Sequence, residues 1–309
     1  MQFESSEKIS ISNWKEYLNK IEELNSDWIF RAQESLDKIE NNNNKSEIIV
    51  QSSFDKACAL REKAIPGDKR WKYEARILFE FKRGAQRYLD QLPAKNDFLE
   101  WMALGRHYGM PSRLVDFTYS PYVAAYFALS KKKEKEKGYI IALNITWMKE
   151  DIEKNIENNK WKEWMSPVNM SPVKKEEASF HNPEFFRRFA FESKENYAVP
   201  VGPVARNPRL AAQQGLFLCP GNIAETFDVN LGETLKRKKV IKLFILEPGM
   251  HQEAIRELWK MNINLATLYQ DLSGWAETQR DWARVWDEKD KDERLIQELK
   301  ISISERPYN

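Results

Sequence analysis

The sequence predicts an α+β protein, because helical and extended patterns both recur along the chain. Residues 12–24 carry apolar side chains at helical spacing, with charged residues between them. Residues 138–144 and 242–246 are continuous apolar runs of strand length, which is typical of strands inside a sheet. A chain of 309 residues can bury a sizeable core and suits one large domain or two small ones.

Composition indicates a globular protein and excludes several kinds of site. Hydrophobic residues make up 42% of the chain and aromatic residues 12%, which argues against disorder. The 49 basic and 47 acidic residues nearly cancel, so contact with nucleic acid would need a local basic patch. Cys58 and Cys219 have no metal-ligand spacing, so we expect neither a metal site nor a disulfide framework. No signal sequence or membrane-length apolar run occurs, and we expect a cytoplasmic protein without membrane contact.

The first part of the chain is predicted to be mainly helical. Ser12 and Glu16 give a weak capping-box signal for the helix within residues 12–24. The other elements expected here are a short buried strand at 28–31 and helices at 52–63, 71–92 and 98–104. The last of these helices delivers His107 to the turn that follows.

The rest of the chain mixes strands, helices and charged segments. Ser120 is expected to cap a mostly buried helix that has Pro121 in its first position. An amphipathic helix is expected at residues 251–261, and the charge run at 131–137 is interpreted as a solvated loop. We interpret the chain as one domain at 1–275, with an insertion or lid at 147–196, followed by a charged helical tail at 276–309.

The turn before Ser120 has the composition of a binding site. His107, Tyr108, Arg113 and Asp116 lie around a Gly-Met-Pro sequence, where the backbone must turn sharply. The following helix would point its N-terminal N–H groups back at this turn. Familiar enzyme motifs are absent from the sequence: the phosphate-binding Gly-Lys-Thr loop, the Gly-x-Ser-x-Gly elbow, His-Glu-x-x-His and the dinucleotide Gly-x-Gly-x-x-Gly.

Motifs spread over most of the chain resemble the FRG-domain family, named for its Phe/Tyr-Arg-Gly motif. The matching segments are Phe30-Arg31-Ala32-Gln33, Glu74 with Phe79, Phe81 and Arg83, His107-Tyr108-Gly109-Met110-Pro111-Ser112-Arg113-Leu114-Val115-Asp116-Phe117-Thr118, Ser120-Pro121, Tyr126-Phe127-Ala128, Gln213-Gln214-Gly215-Leu216-Phe217 and 268–274. The glycine of the family motif is Ala32 in this chain, which disfavours a positive φ at that position.

The order of these motifs also resembles the layout of ADP-ribosyltransferases, which bind NAD in a cleft between two small sheets. The resemblance implies split small β-sheets surrounded by helices, with NAD as substrate and no metal. It implies that the catalytic residues are Arg31, His107, Asp116 and Gln214. The cofactor-binding residues it implies are Arg31, His107, Tyr108, Arg113, Ser120 and Tyr126. Arg31 would contact a phosphate or ribose, His107 a ribose hydroxyl, and Tyr108 or Tyr126 would stack on a ring.

The identity of the catalytic anion stays open at this point. Cleavage of the nicotinamide bond builds positive charge on the ribose, and a nearby anion lowers the barrier. Where such transferases commonly have a late Glu, this chain has Gln213 and Gln214, with Glu225 further on. Either Asp116 or Glu74 provides the anion, Gln suffices, or the activity differs. Arg113 and Asp116 are expected to form an ion pair that braces the turn.

FRG-family members resemble parts of bacterial phage-defence and toxin–antitoxin cassettes. The resemblance implies a toxin that modifies RNA, specifically mRNA, and so blocks translation, with an antitoxin and a chaperone protein as partners. Basic candidates for RNA phosphate contacts are residues 131–137, Arg187, Arg188, Arg206 and Arg209.

Two alternatives to the transferase remain. One is a non-catalytic module that binds a nucleotide or a partner through the same residues. The other is a metal-independent ribonuclease toxin with His107 as general base.

Overall fold

A computed structural model places a seven-stranded mixed sheet at the centre of the protein. The structure describes residues 7–33, 50–60, 63–133, 135–148, 150, 183–203, 208–235 and 241–285. The strands are β1 (Glu7–Ile11), β2 (Trp28–Gln33), β3 (Val115–Thr118), β4 (Gly138–Asn144), β5 (Ala198–Val201), β6 (Gly215–Pro220) and β7 (Ile241–Leu246). The predicted mixed α+β class is confirmed.

The strand order in the sheet is β1-β7-β4-β2-β3-β6-β5. β1 runs parallel to β7, and the other neighbouring strands are antiparallel. β2 and β3 meet at one residue pair, Phe30 with Thr118, whereas β2 pairs with β4 along its whole length. The resemblance implied two separate small sheets, but this short joint connects a four-stranded part and a three-stranded part into one sheet.

Helices surround the sheet, and those predicted within 12–24 and at 52–63, 98–104 and 251–261 begin within two residues of the predicted start. The helix predicted at 71–92 begins earlier, at Gly67, and ends earlier, at Ala85. The helices are α1 (Trp14–Glu22), α2 (Ser53–Ala59), α3 (Gly67–Ala85), α4 (Phe98–His107), α5 (Pro121–Leu129), α6 (Pro183–Glu192), α7 (Pro208–Ala212), α8 (Phe227–Leu235), α9 (His251–Lys260), α10 (Leu265–Tyr269), α11 (Leu272–Thr278) and α12 (Trp282–Val285), with a 3₁₀ turn at Gln279–Asp281. Within the described ranges, no helix is both long and apolar enough to span a membrane.

Helix caps explain where the first and fifth helices begin. Ser120 caps α5 as predicted, because its hydroxyl accepts a hydrogen bond from the Val123 N–H at 3.2 Å. The cap of α1 is Asn13 and not Ser12, since Asn13 Oδ1 accepts from the Glu16 N–H at 2.9 Å. Glu16 in turn accepts from the Ser12 N–H, so both residues of the predicted capping signal do help to start this helix.

Three apolar clusters hold the helices against the sheet. α1, α5, α9 and α10 pack on one face of the four-stranded part, and α8 packs with residues of the other face. α3, α4 and α6 form the third cluster with β5 and β6. α6 lies within the predicted insertion or lid at 147–196, and its buried Phe186 and Phe189 belong to this core. Residues 151–182 of that segment lie outside the described residues.

The C-terminal helical segment fixes α5 in place. Arg284 donates hydrogen bonds to the carbonyl oxygens of Leu129, Ser130 and Lys132, which satisfies carbonyls that the end of α5 leaves without helical partners. Tyr126 on α5 donates its hydroxyl hydrogen to buried Asp281. Over residues 276–285 the structure has the end of α11, the 3₁₀ turn and α12, and residues 286–309 of the predicted tail lie outside the described part.

Candidate functional site

A cavity of about 420 Å³ opens at the joint between β2 and β3. Its size is within the range of small-molecule sites. The side chains that line it come from β2, α4, β3, α5, α7, β6 and α10: Phe30, Arg31, Ala32, Ala103, Arg106, His107, Gly109, Asp116, Phe117, Thr118, Val123, Ala124, Phe127, Arg209, Leu210, Gln213, Phe217 and Tyr269. Three of the predicted catalytic residues, Arg31, His107 and Asp116, therefore share one pocket.

Arg31 connects the two strands that flank the pocket. It lies on β2 one residue beyond the joint, and its Nη1 donates to the backbone oxygen of Asp116 on β3 at 2.7 Å. Backbone pairing between β2 and β3 has ended at this point, so the side-chain bond connects the strands where the backbones no longer pair. Arg31 consequently brings a positive charge to the pocket wall and links its two sides.

Asp116 is held by an arginine that the sequence analysis did not select. Arg106, near the end of α4, donates from Nε at 3.1 Å and from Nη2 at 2.5 Å, both to Asp116 Oδ2. Arg106 Nη1 also donates to Ser53 Oγ at 2.9 Å, which fixes the guanidinium from its other side. Both hydrogen bonds from Arg106 go to Oδ2, and the Asp116 side chain is 44% exposed. The carboxylate is therefore accessible from the pocket.

The charges around Asp116 keep it ionised. Burial alone would raise the pKa of the Asp116 carboxyl, but the ion pair with Arg106 and the charge of Arg31 lower it below its ordinary value. The pocket lining holds three arginines and one aspartate. With His107 neutral, the lining carries two more positive than negative charges.

His107 is neutral near pH 7 in this setting. Burial lowers its pKa from the ordinary 6.5, and the nearby positive charge of Arg209 lowers it further, while Asp271 opposes the shift. Its ring lies edge-on against the ring of Tyr108, 4.7 Å away. A neutral imidazole can both donate and accept a hydrogen bond, which suits contact with a hydroxyl group.

An aromatic wall closes the other side of the pocket. The rings of Phe127 on α5 and Tyr269 on α10 stack with 6.3 Å between their centroids and 29° between their planes. The guanidinium carbon of Arg209 lies 3.7 Å from the Tyr269 ring centroid, a close cation–π contact. The three side chains provide flat apolar surface with a positive charge beside it.

The glutamine that lines the pocket is Gln213, whereas the sequence analysis selected its neighbour Gln214. Gln213 Nε2 donates to the Leu268 oxygen at 3.2 Å, which ties α7 to α10. Gln214 has a left-handed backbone with a φ of 47°, and its carbonyl accepts from the Tyr119 N–H. Because the chain reverses here before β6, the two side chains leave the backbone in different directions.

Arg113 lies outside the pocket lining, and its predicted ion pair with Asp116 is wrong. Arg113 is 1% exposed and donates two hydrogen bonds to the carboxylate of Glu74 and a third to the Ala190 oxygen. Burial alone would lower its pKa, but Glu74 raises it, so Arg113 is charged. Glu74 thus braces the turn through Arg113.

Three other predicted cofactor-binding residues are also absent from the pocket lining. Ser120 is buried as the cap of α5, and Tyr126 is buried with its hydroxyl bonded to Asp281 and to the Leu265 N–H. Tyr108 is 58% exposed and follows His107 at the end of α4. Among the three, Tyr108 alone has a side chain that solvent reaches.

Part of the pocket lining was not among the predicted site residues. Phe127 and Tyr269 belong to motifs that carried the family resemblance, and Arg209 was selected for RNA phosphates. Nothing in the sequence indicated that Arg106 belongs to the pocket except its position next to His107. In the described ranges, no group of three or more His, Cys, Asp or Glu residues is placed to hold a metal ion.

Comparison with known proteins supports the resemblance over one part of the chain. A family model described as FRG domain matches residues 25–137. That range includes Arg31, Arg106, His107, Asp116 and Phe127, but not Arg209, Gln213 or Tyr269. No curated protein and no solved structure matched the chain. The match covers less than half of the chain, so it shows similarity to an FRG domain over residues 25–137.

Proposed function

We propose that the pocket binds NAD and that the protein transfers ADP-ribose from NAD to an acceptor. The observation that supports this most is the gathering of Arg31, Arg209 and one ionised carboxylate, Asp116, around a pocket with an aromatic wall. The excess of two positive charges matches the two negative charges of a diphosphate. The stacked pair Phe127 and Tyr269 offers a flat surface to a base or to the nicotinamide ring.

Asp116 is the proposed catalytic anion. When the bond between nicotinamide and ribose breaks, positive charge develops on the ribose, and a fixed carboxylate stabilises that charge in the transition state. Arg106 donates two hydrogen bonds to Oδ2, which fixes the carboxylate at the pocket wall while its side chain stays 44% exposed. Glu74, the other acid considered, is buried in its ion pair with Arg113 and does not line the cavity.

A binding module without catalysis is the second candidate. Two observations favour it. The one carboxylate of the pocket lining, Asp116, is already neutralised in part by Arg106. The residue in the pocket lining near the position where such transferases commonly have Glu is the uncharged Gln213. A ribonuclease has less support, because the pocket lining contains a single histidine and no second general acid beside it.

The acceptor is proposed to be RNA, and the protein a cytoplasmic toxin of phage defence that acts on mRNA and blocks translation. An antitoxin and a chaperone would then keep it silent. A second cavity of about 240 Å³ shares Ala32 and Phe127 with the first and is lined further by Lys131 and Lys132. An acceptor phosphate at these lysines would lie beside the NAD pocket. Of the other candidates, Arg188 pairs with Glu192, and Arg206 lies outside the described residues.

Charge reversal in the loop after α5 tests this acceptor site. Replacing Lys131, Lys132 and Lys133 with Glu is expected to lower RNA labelling about tenfold at low salt, because phosphates are then repelled. NAD hydrolysis should change less than twofold, since none of the three residues lines the NAD pocket. Both rates are measured on the same preparation. Equal loss of both activities would show that the loop is a solvated surface.

The first test of the function is to incubate the protein with labelled NAD and, separately, with total RNA and total protein. Label in the RNA fraction is the expected result. Label in the protein fraction would keep the chemistry and change the acceptor. A folded protein that binds NAD but releases no nicotinamide and transfers no label would contradict the transferase and leave the binding module.

A further inference from the structure

The outward face of α3 carries a row of positive charges that no step of the proposed reaction uses. The row, named here the basic stripe, consists of Lys69, Lys72, Arg76, Arg83 and Arg87, all exposed to solvent. The spacing of the four that lie within α3 places them on one side of the helix, and Arg87 follows just after its end. From Lys69 to Arg83 the stripe is about 21 Å long at 1.5 Å per residue.

The two faces of α3 differ sharply in charge balance. On the buried face, Arg70 pairs with Asp55 and Glu74 pairs with Arg113, so each charge has an opposite partner. On the exposed face, the acidic residues of α3 are Asp68 and Glu80, against the four stripe cations that lie within the helix. The exposed face of α3 therefore carries more positive than negative charge.

Exposed aromatic rings accompany the stripe. Trp71 is 47% exposed and Phe79 is 54% exposed. The Lys72 ammonium lies 5.5 Å from the Trp71 ring centroid, and the Arg83 guanidinium lies 5.6 Å from that of Phe79. Cations interleaved with exposed aromatic rings are the combination that single-stranded nucleic acids contact, through phosphates and stacked bases.

We propose that the basic stripe of α3 binds the phosphate backbone of a single-stranded polynucleotide. Charge complementarity supports this occupant, because a nucleic acid strand presents a regular row of single negative charges over the length of the stripe. An acidic protein is less well matched, since the centres of protein interfaces are poor in lysine and rich in buried apolar area. The contact between Glu74 and Arg113 fixes α3 to the turn that carries the NAD pocket, so a bound strand is held in a defined place.

Binding of a fluorescent single-stranded RNA of 20 nucleotides tests the proposal, with anisotropy measured over a range of salt concentrations. The variant combines Lys69→Gln, Lys72→Gln and Arg87→Gln, which leaves the ion pairs of Arg76 and Arg83 with Glu80 intact. Affinity at low salt is expected to fall at least tenfold. The slope of log affinity against log salt is negative and should become less steep by about 2. The variant loses three phosphate contacts, and each contact in a single strand contributes about 0.7 to the slope.

A matched control removes the same charge elsewhere. Lys8→Gln, Lys15→Gln and Lys194→Gln replace exposed lysines outside α3 and should leave both the affinity and the slope unchanged. An unchanged slope in the stripe variant, or an equal loss in the control, would overturn the proposal. Displacement of the RNA by polyglutamate at equal charge concentration would overturn it in favour of an acidic protein partner. The assay contains no NAD, so its outcome is independent of the proposed transferase activity.

Discussion

Replacing Asp116 with asparagine is expected to reduce NAD cleavage by about 10² to 10³-fold, the usual cost of removing one electrostatic group aimed at the transition state. Asparagine has nearly the same shape and can still accept from Arg106, so the pocket should keep its form. NAD affinity should not fall, because the lost negative charge opposes rather than assists binding of a diphosphate. Nicotinamide release, and NAD affinity measured by calorimetry, check the two parts of this expectation.

The pH dependence of the wild-type protein follows from the same ion pair. Arg106 holds the pKa of Asp116 below its ordinary value, so the carboxylate stays charged through neutral and mildly acidic pH. Titration of Asp116 should therefore not reduce cleavage as the pH falls from 8 to about 5. The charge of Asp116, and with it this residue's contribution to cleavage, is expected to be lost only when the pH falls through that lowered pKa.

Glu225→Gln is the matched control for the loss of a carboxylate. Glu225 is exposed and is the acidic residue that follows the two glutamines in sequence. It does not line the cavity, so its replacement should leave cleavage within twofold of wild type. If Asp116→Asn kept full activity while Glu225→Gln lost it, the assignment of the catalytic anion would be wrong.

Local patterns predicted the elements of this fold well, because they depend on neighbours in sequence. The interior strand β4 and the helix start at Ser120 were both found from apolar runs and capping residues. The pocket could not be predicted from such local patterns alone. Arg31 and Asp116 are 85 positions apart, and they meet only because β2 lies beside β3 in the sheet. The family resemblance had placed Arg31 and Asp116 in one site, because its motifs combine residues that lie far apart in the sequence.

The failed Arg113 prediction has a geometric cause. A spacing of three residues brings side chains together on a helix, but successive residues of an extended chain point to opposite faces. Arg113 and Asp116 flank the start of β3, so one enters the core and the other lines the pocket. Each then pairs with a residue of another helix, Glu74 on α3 and Arg106 on α4. Partners of this kind cannot be read from sequence spacing alone.

The contact between Arg209 and Tyr269 shows the same limit at longer range. The two residues lie on α7 and α10, short helices that Gln213 ties together through the Leu268 oxygen. Neither helix has a periodic pattern long enough to predict which way its side chains point. The aromatic wall of the pocket consequently depends on tertiary packing that only the structure provides.

Glu74→Ala is expected to lower the free energy of unfolding by about 3–5 kcal/mol, because it leaves the guanidinium of Arg113 buried without its counter-charge. Arg113 would retain its hydrogen bond to the Ala190 oxygen, but its two bonds to a carboxylate would be lost. Urea unfolding at neutral pH measures the change. Glu80→Ala on the same helix is the control, since Glu80 pairs at the surface with Arg76 and should contribute less than about 1 kcal/mol.

A second variant separates the cost of an unpaired charge from the cost of lost packing. The double replacement Glu74→Leu with Arg113→Met removes both charges and keeps apolar volume, so it should be more stable than Glu74→Ala despite changing two buried residues. We expect this recovery because the buried charges stabilise the fold only as a pair, and removing both leaves no buried charge without a partner. A double variant less stable than Glu74→Ala, or a Glu74→Ala variant no less stable than Glu80→Ala, would show that the pair does not hold the turn beneath the pocket.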